Sequence, residues 1–245
     1  MCGGRGTRLG DGEKPLATVA GRSMVDRALD ALAASRVETA YAAVSPHTPR
    51  TRERLLRRRN GHEAASGESV ELVVVDTPGD GYVADLQAAM AEGPTAPTLT
   101  LAADLPLLDG AAVDAVLGAH VAADADALSV RVPAARKREL GASADAATRY
   151  DEAEGGEADD AVREAAVERV PAGINVVGAP DGASDEAVRA TGDARLAVNV
   201  NRPGDRRLAE RILAGDSDAP ALPSGGVDWL DAGDAGAGSA GGEPR

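Results

Sequence analysis

Gly3-Gly4-Arg5-Gly6-Thr7-Arg8, followed shortly by Glu13-Lys14-Pro15-Leu16, gathers glycine, arginine and lysine at one end of a strongly acidic chain. Glycine lets backbone N–H groups converge on an anion with no Cβ in the way. Arginine and lysine supply the positive charge that a triphosphate attracts. The spacing is neither that of a Walker loop, G-x-x-x-x-G-K-[ST], nor that of the dinucleotide fingerprint, G-x-G-x-x-G. A plain glycine-rich turn accounts for any one of these glycines, but poorly for Arg5, Arg8 and Lys14 in the same loop.

A phosphate loop needs rigid elements beneath it. Residues 37–45, 70–76, 98–104 and 127–132 read as strands, and 24–35, 48–59, 82–92 and 110–122 carry apolar residues at helical spacing. A second strand-like region spans 169–177 and then 194–200, and a last helix covers 203–214 with proline at its start. Strand–helix alternation predicts an α/β fold, a Rossmann-like, mostly parallel sheet with helices on both faces. Such sheets bind ligands at the carboxyl ends of their strands, where this chain places Ser45, Asp76 and Asp104.

Composition narrows the partners. The chain has 245 residues, 43% of them hydrophobic, no phenylalanine and a formal net charge of -14, which suits one α/β core. The acidity reads as adaptation of a cytoplasmic, halophilic protein to molar salt; bias from a GC-rich genome is the alternative. Near 1 M salt the Debye length is only ~3 Å, so an anion site must work by direct contact. An acidic chain repels polyanions, which disfavours nucleic acid and the membrane surface. The arginines between 50 and 59 read as a solvated helix face, paired with acidic neighbours in a dimer. Cys2 is the one cysteine, so neither an intramolecular disulfide nor a cysteine zinc site is expected. His47, His62 and His120 lack ligand-like spacing, and no apolar run is long enough to span a membrane.

Beyond the first loop, four stretches sharpen the reading. They are Ser45-Pro46-His47-Thr48-Pro49-Arg50-Thr51, Asp76-Thr77-Pro78-Gly79-Asp80-Gly81-Tyr82-Val83-Ala84-Asp85-Leu86, Ala103-Asp104-Leu105 and Val170-Pro171-Ala172-Gly173-Ile174-Asn175-Val176-Val177. Together they resemble the archaeal GTP:adenosylcobinamide-phosphate guanylyltransferases, over roughly residues 1–213. The first loop and Asp104 are general to the nucleotidyltransferase superfamily; the second and fourth stretches are more specific. The resemblance implies transfer of GMP from GTP to adenosylcobinamide phosphate, giving adenosylcobinamide-GDP and pyrophosphate, a late step of vitamin B12 coenzyme assembly. The implied cofactor is Mg²⁺, and such proteins tend to be homodimers. The acceptor phosphate is largely dianionic near neutral pH, its second pKa being about 6, so no protein base is required.

The resemblance also implies roles. Gly3, Gly4, Gly6 and Thr7 cradle the triphosphate by their amides, with Arg5, Arg8 and Lys14 neutralising it; Arg8, Lys14 and Asp104 form the catalytic set. Asp104 is the Mg²⁺ ligand, completed by Asn199 or Asn201, although Asn201 reads equally as a turn residue. Ser45, Asp76 and Thr77 face guanine and ribose, with an Asx turn the alternative for Asp76. Gly79, Gly81, Tyr82, Gly173, Ile174 and Asn175 face the corrinoid. Asp85 reads as a first-turn helix acid. Molybdenum-cofactor guanylyltransferase, sugar-phosphate nucleotidyltransferase and a non-catalytic nucleotide sensor are the competing readings.

The domain is expected to run from 1 to 213 with a surface insertion at 141–168. A disordered acidic tail is expected from 214 to 245, with docking of Trp229 the lesser alternative. In the fold class that this resemblance implies, a central strand precedes the glycine loop, yet only Met1 and Cys2 do so here. The expectation is a start several residues late, and a gap at the centre of the sheet.

Overall fold

The computed structural model of the chain describes residues 1–4, 6, 9–10, 12–60, 70–144, 168–179 and 185–230. A 3-10 turn at Lys14–Leu16 leads into a hairpin of β1 (Thr18–Val19) and β2 (Arg22–Ser23). Helix α1 (Met24–Ala33) starts at once, because the Ser23 hydroxyl accepts from the Asp26 amide, an otherwise orphan donor. The chain then alternates through β3 (Thr39–Val44), α2 (Pro49–Arg59), β4 (Glu71–Asp76), α3 (Tyr82–Ala91), β5 (Thr98–Leu101), α4 (Gly110–Ala123) and β6 (Ala127–Pro133). It finishes with α5 (Ala134–Leu140), β7 (Arg169–Val177), β8 (Glu186–Thr191), α6 (Ala194–Ala197), α7 (Pro203–Leu213) and β9 (Trp229–Leu230).

Strands β3 and β4 form one parallel pair. A larger sheet has the order β5-β7-β6-β8-β9. In it β5 and β6 are both antiparallel to β7, and β8 is parallel to β6, so β5, β6 and β8 share one direction. Its main core is built from small hydrophobes, among them Val113, Val116, Leu128, Val130, Ile174 and Leu196, all buried. A smaller cluster, including Cys2, Leu29, Val44 and Leu55, sits between α1, α2 and β3.

Among the described residues no strand pairing joins these two sheets. At the top of the seam the Met1 ammonium donates to Leu101 O at 2.7 Å, Cys2 N to Ala43 O at 2.8 Å, and Ala103 N to Met1 O at 3.3 Å. Below this bridge the facing edges of β3 and β5 line a cavity of about 510 Å³, closed by Val25 and Leu29 of α1 and by Leu86 and Met90 of α3.

Three expectations change. Residues 194–200 are not a strand: Asp193 accepts from the Arg195 amide at 2.8 Å and starts α6, and the run Ala-Arg-Leu-Ala is a strong helix former. The order expected to stop at 213 continues to 230. Arg195, fully buried, donates to Gly225 O at 2.8 Å and Gly226 O at 2.7 Å. Trp229 and Leu230 then pair with Thr191 and Ala190 of β8. A single arginine thus supplies the hydrogen bonds that a glycine-rich segment cannot make with itself. Three arginines of α2 find acidic partners within their own chain: Arg54 and Arg58 reach Asp26, Arg58 also reaches Asp30, and Arg52 pairs with Asp76, while Arg50, Arg57 and Arg59 stay on an exposed face. Most of the expected insertion, 145–167, and the end of the tail, 231–245, lie outside the described residues. Among the described residues no helix is long and apolar enough to cross a membrane.

Candidate active site

The amino-terminal loop closes on itself because Gly6 has φ +65° and no side chain. A Cβ there would lie 2.2 Å from Gly12 O and 2.9 Å from Lys14 N. Lys14 N donates to Gly4 O at 3.0 Å, completing the closure. Glu13 then fastens the loop to α2. Its carboxylate accepts from the amides of Arg50 (2.9 Å) and Thr51 (2.6 Å) and from the Thr51 hydroxyl (2.7 Å), taking up orphan donors at the helix N-terminus. With Glu13 fixed on one side and Pro15 buried on the other, Lys14 is turned inward.

Lys14 Nζ donates to Asp104 Oδ2 and to Asn201 Oδ1, both at 2.6 Å. Asp104 lies just beyond β5, in a segment braced by Ala102 N donating to Gly173 O (2.8 Å) and by Val200 N donating to Asp104 O (2.9 Å). Gly173 has φ +91°, and a Cβ there would sit 3.0 Å from Asn199 Nδ2, so glycine leaves room for that amide. Asn199 Nδ2 donates to Asp104 Oδ1 and to Ala172 O, both at 3.1 Å. Its Oδ1 accepts from Lys137 Nζ at 2.7 Å. Two acceptors at one end and a cation at the other fix the amide's orientation. Lys137 also donates to Ala197 O at 2.7 Å and is 3% exposed. Burial pushes its amine down to about 8, against the opposing pull of Asp104 and Asp205.

Of these groups Lys14 and Asp104 open onto a cleft of about 370 Å³, lined also by Gly3, Gly4, His47, Gly79, Gly81, Tyr82 and Asp85 among others. That volume suits a small-molecule ligand. Asp85 shapes one wall: it lies in the first turn of α3, as read from the sequence, and its Oδ1 accepts from Gly79 N at 2.7 Å.

Of the residues singled out from the sequence, Gly3, Gly4, Lys14, Gly79, Gly81, Tyr82 and Asp104 line this one cleft. Arg5, Thr7 and Arg8 fall outside the described residues. Ser45 is buried beneath the loop, its hydroxyl donating to Gly3 O at 3.4 Å. Thr77 is tied by its amide and hydroxyl to Val44 O. Asp76 points outward to Arg52, whose hydrogen bonds of 2.7 and 2.9 Å hold its carboxyl below the ordinary range. Ile174 is fully buried in the core, and Asn175 Oδ1 accepts from Val130 N at 3.0 Å, satisfying the bulge between Ser129 and Arg131. The last five therefore support the frame rather than line the cleft. His47 and Lys137 went unassigned in the sequence. The first lacks ligand-like spacing, and the second carries no local motif.

Mg²⁺ is usually held by one or two carboxylates, with phosphate oxygens and waters completing its shell. Asp104 fits that need as one carboxylate at the cleft. Asn199 does not, because its oxygen is turned away to Lys137. Among the described residues no group of three or more His, Cys, Asp or Glu is placed to hold a metal without a ligand's help.

A glycine loop joined to a lysine–aspartate pair at the strand ends of an α/β sheet defines a nucleotide-binding transferase. Residues 1–170 match the MobA-like NTP transferase domain, and the chain belongs to that family of nucleotidyltransferases. It is 29% identical over 221 residues to the adenosylcobinamide-phosphate guanylyltransferase of Methanocaldococcus jannaschii, covering 88% of this chain and 96% of that one. Among solved structures it is similar to CMP:2-keto-3-deoxy-manno-octonic acid synthetase complexed with CTP, with TM-score 0.55 and 14% identity over 88% of this chain and 95% of the other. Molybdopterin-guanine dinucleotide biosynthesis protein A from Archaeoglobus fulgidus overlays with TM-score 0.47 and 14% identity, covering 87% and 96%.

Proposed function

We propose that this nucleotidyltransferase moves GMP from GTP to adenosylcobinamide phosphate, releasing pyrophosphate and forming adenosylcobinamide-GDP. The observation that carries the reading is convergence. Gly3 and Gly4 of the first loop, His47, the Gly79–Tyr82 turn and Asp104 come from distant parts of the chain and line one cleft.

An oxygen of the acceptor phosphate attacks the α-phosphorus of GTP, and the bond from that phosphorus to the bridging oxygen of the β-phosphate breaks. No proton need be removed from the nucleophile, which is why a cleft with one histidine and no paired base suffices. Catalysis is then positioning and charge neutralisation. The loop at Gly3 and Gly4 receives the phosphates, and Lys14, poised at Asp104, neutralises them. Mg²⁺ held by Asp104 would supply further positive charge at the phosphates and leaving group. Tyr82, half exposed at the start of α3, gives the acceptor an aromatic wall.

The test is pyrophosphate release from GTP with adenosylcobinamide phosphate, molybdopterin or a sugar phosphate offered in turn. Turnover with the first alone is expected. Turnover with either of the others, or GTP binding without turnover, would replace the reading with a sister transferase or a sensor.

A further inference from the structure

The chain has only two lysines among 26 basic residues, and both converge on Asp104. A composition that has turned nearly every cation into arginine keeps lysine at these two places. A compact ammonium suits a receptor made of one carbonyl and one amide oxygen, where the broad guanidinium fork does not.

The two lysines differ in reach. Lys14 lines the cleft with its side chain 20% exposed, so it can be drawn to a triphosphate. Lys137 is 3% exposed, and its two hydrogen bonds go to Ala197 O and Asn199 Oδ1. Once Lys14 turns to the phosphates, Asp104 keeps the Asn199 amide among its partners. An amide can rotate end for end, and a reversed Asn199 would set its oxygen against the carboxylate. The cation on Asn199 Oδ1 prevents this.

We infer that Lys137 is a positioning residue for nucleotidyl transfer: it locks the Asn199 amide so that Nδ2 stays on Asp104, and the carboxylate holds one orientation through turnover. This role rests on the cleft being the transfer site proposed above.

The experiment compares wild type, Lys137→Met, Asn199→Ala and the double variant. It reads kcat, KM for GTP, melting temperature and the exchange protection of the Asn199 side-chain amide, assigned by its loss in Asn199→Ala. Supporting a ligand-orienting group is typically worth 10–100-fold in activity. Lys137→Met is therefore expected to lower kcat by about that factor and to leave KM for GTP within about 2-fold. The melting temperature should fall by only a few degrees, since loss of the buried charge relieves its desolvation but leaves Ala197 O and Asn199 Oδ1 without that donor. Protection of the amide should fall roughly tenfold, and in the Asn199→Ala background Lys137→Met should change kcat no further. An unchanged kcat, a second independent loss in the double variant, or an amide still protected in Lys137→Met would overturn the inference. If Lys137→Met does not fold, Asn199→Asp keeps an acceptor for Lys137 and removes the donor to Asp104; a matching loss of kcat at unchanged melting temperature supports the role, and an unchanged kcat refutes it. A wild type that turns over with no acceptor would refute the proposed reaction instead, while amide protection would still report on Lys137.

Discussion

Two hollows meet at Met1, and they differ in kind. The larger, about 510 Å³, is walled by the backbone edges of β3 and β5 and by aliphatic side chains such as Val25, Leu29 and Leu86. The smaller, about 370 Å³, carries Lys14, His47, Asp85 and Asp104 around four glycines. Size alone would pick the first. Chemistry picks the second, because a phosphate site is defined by convergent donors and charges rather than by volume. The first is a slot in the sheet: two strand edges face each other there, and neither is paired with a described strand. Open edges of this sort invite a partner strand.

The sharpest break between the hollows is expected at Asp104. Removing the carboxylate proposed to hold the metal at the phosphates should lower kcat by about 10²–10³-fold. Binding of GTP in the absence of metal should stay within about 3-fold. Pyrophosphate release and calorimetry measure the two; parallel loss of both would move the chemistry elsewhere in the cleft. The slot should respond in stability. Fusing five apolar residues ahead of Met1 places ~17 Å of extended chain against both edges. The apolar burial, at about 1.5–3 kcal/mol per fully buried side chain, roughly offsets the ordering cost, and new ladder hydrogen bonds to both edges, at about 0.5–1.5 kcal/mol each, leave a net gain of a few kcal/mol. The melting temperature should then rise by roughly 5–10 °C. No rise would mean that the slot does not admit a strand.

Much of this was legible in the sequence because it was local. Alternating apolar runs gave the elements from 24 to 133, and the glycine loop with Lys14 and Asp104 marked the cleft. Strand β8 was missed because Glu-Ala-Val-Arg-Ala-Thr has little apolar character and takes its place from pairing with β6. From sequence, docking at Trp229 is only the lesser alternative, because the order of 225–230 depends on Arg195, whose role is visible only in three dimensions. Around the site, the expected and the observed placement of side chains part for one reason. Spacing shows that Ser45, Asp76 and Thr77 stand near strand ends, but not which way each side chain turns once β3 and β4 pair. Lys137 was illegible for the complementary reason, since its partners lie 60 and 62 residues away.

A smaller effect is expected on the far side of α1, the helix that helps wall the larger hollow. Asp26 of α1, nearly buried, binds Arg54 and Arg58 of α2 and the Ser23 hydroxyl. Burial alone would raise its carboxyl, but the hydrogen bonds from Arg54 and Ser23 and the two guanidinium charges outweigh it and lower the carboxyl from 3.8. A depressed carboxyl favours folding above its unfolded value, and that contribution is lost as pH falls through the folded value. Asp26→Asn should therefore cost about 2 kcal/mol at pH 7, less than a fully buried pair because Arg54 is partly exposed. The difference from wild type should shrink as pH drops below 3.8. Denaturant unfolding at both pH values checks this; a difference independent of pH would mean that packing, not charge, dominates.

The smallest effect separates a strand-end carboxylate near the cleft from one within it. Asp76 ends β4 and precedes the Gly79–Tyr82 turn, so from sequence it is a natural reader of guanine. In the folded chain it lies on the outer side, gripped by Arg52. Asp76→Ala should leave kcat, KM for GTP and the preference for GTP over ATP each within about 2-fold, since a buried base-reading carboxylate would carry discrimination of 10⁴-fold or more and an outward one carries none. Arg52→Ala should behave in the same way. If Asp76→Ala instead erased the preference for GTP while Arg52→Ala preserved it, the carboxylate would have to leave Arg52 and swing into the cleft when nucleotide binds, and the guanine subsite would extend to the end of β4.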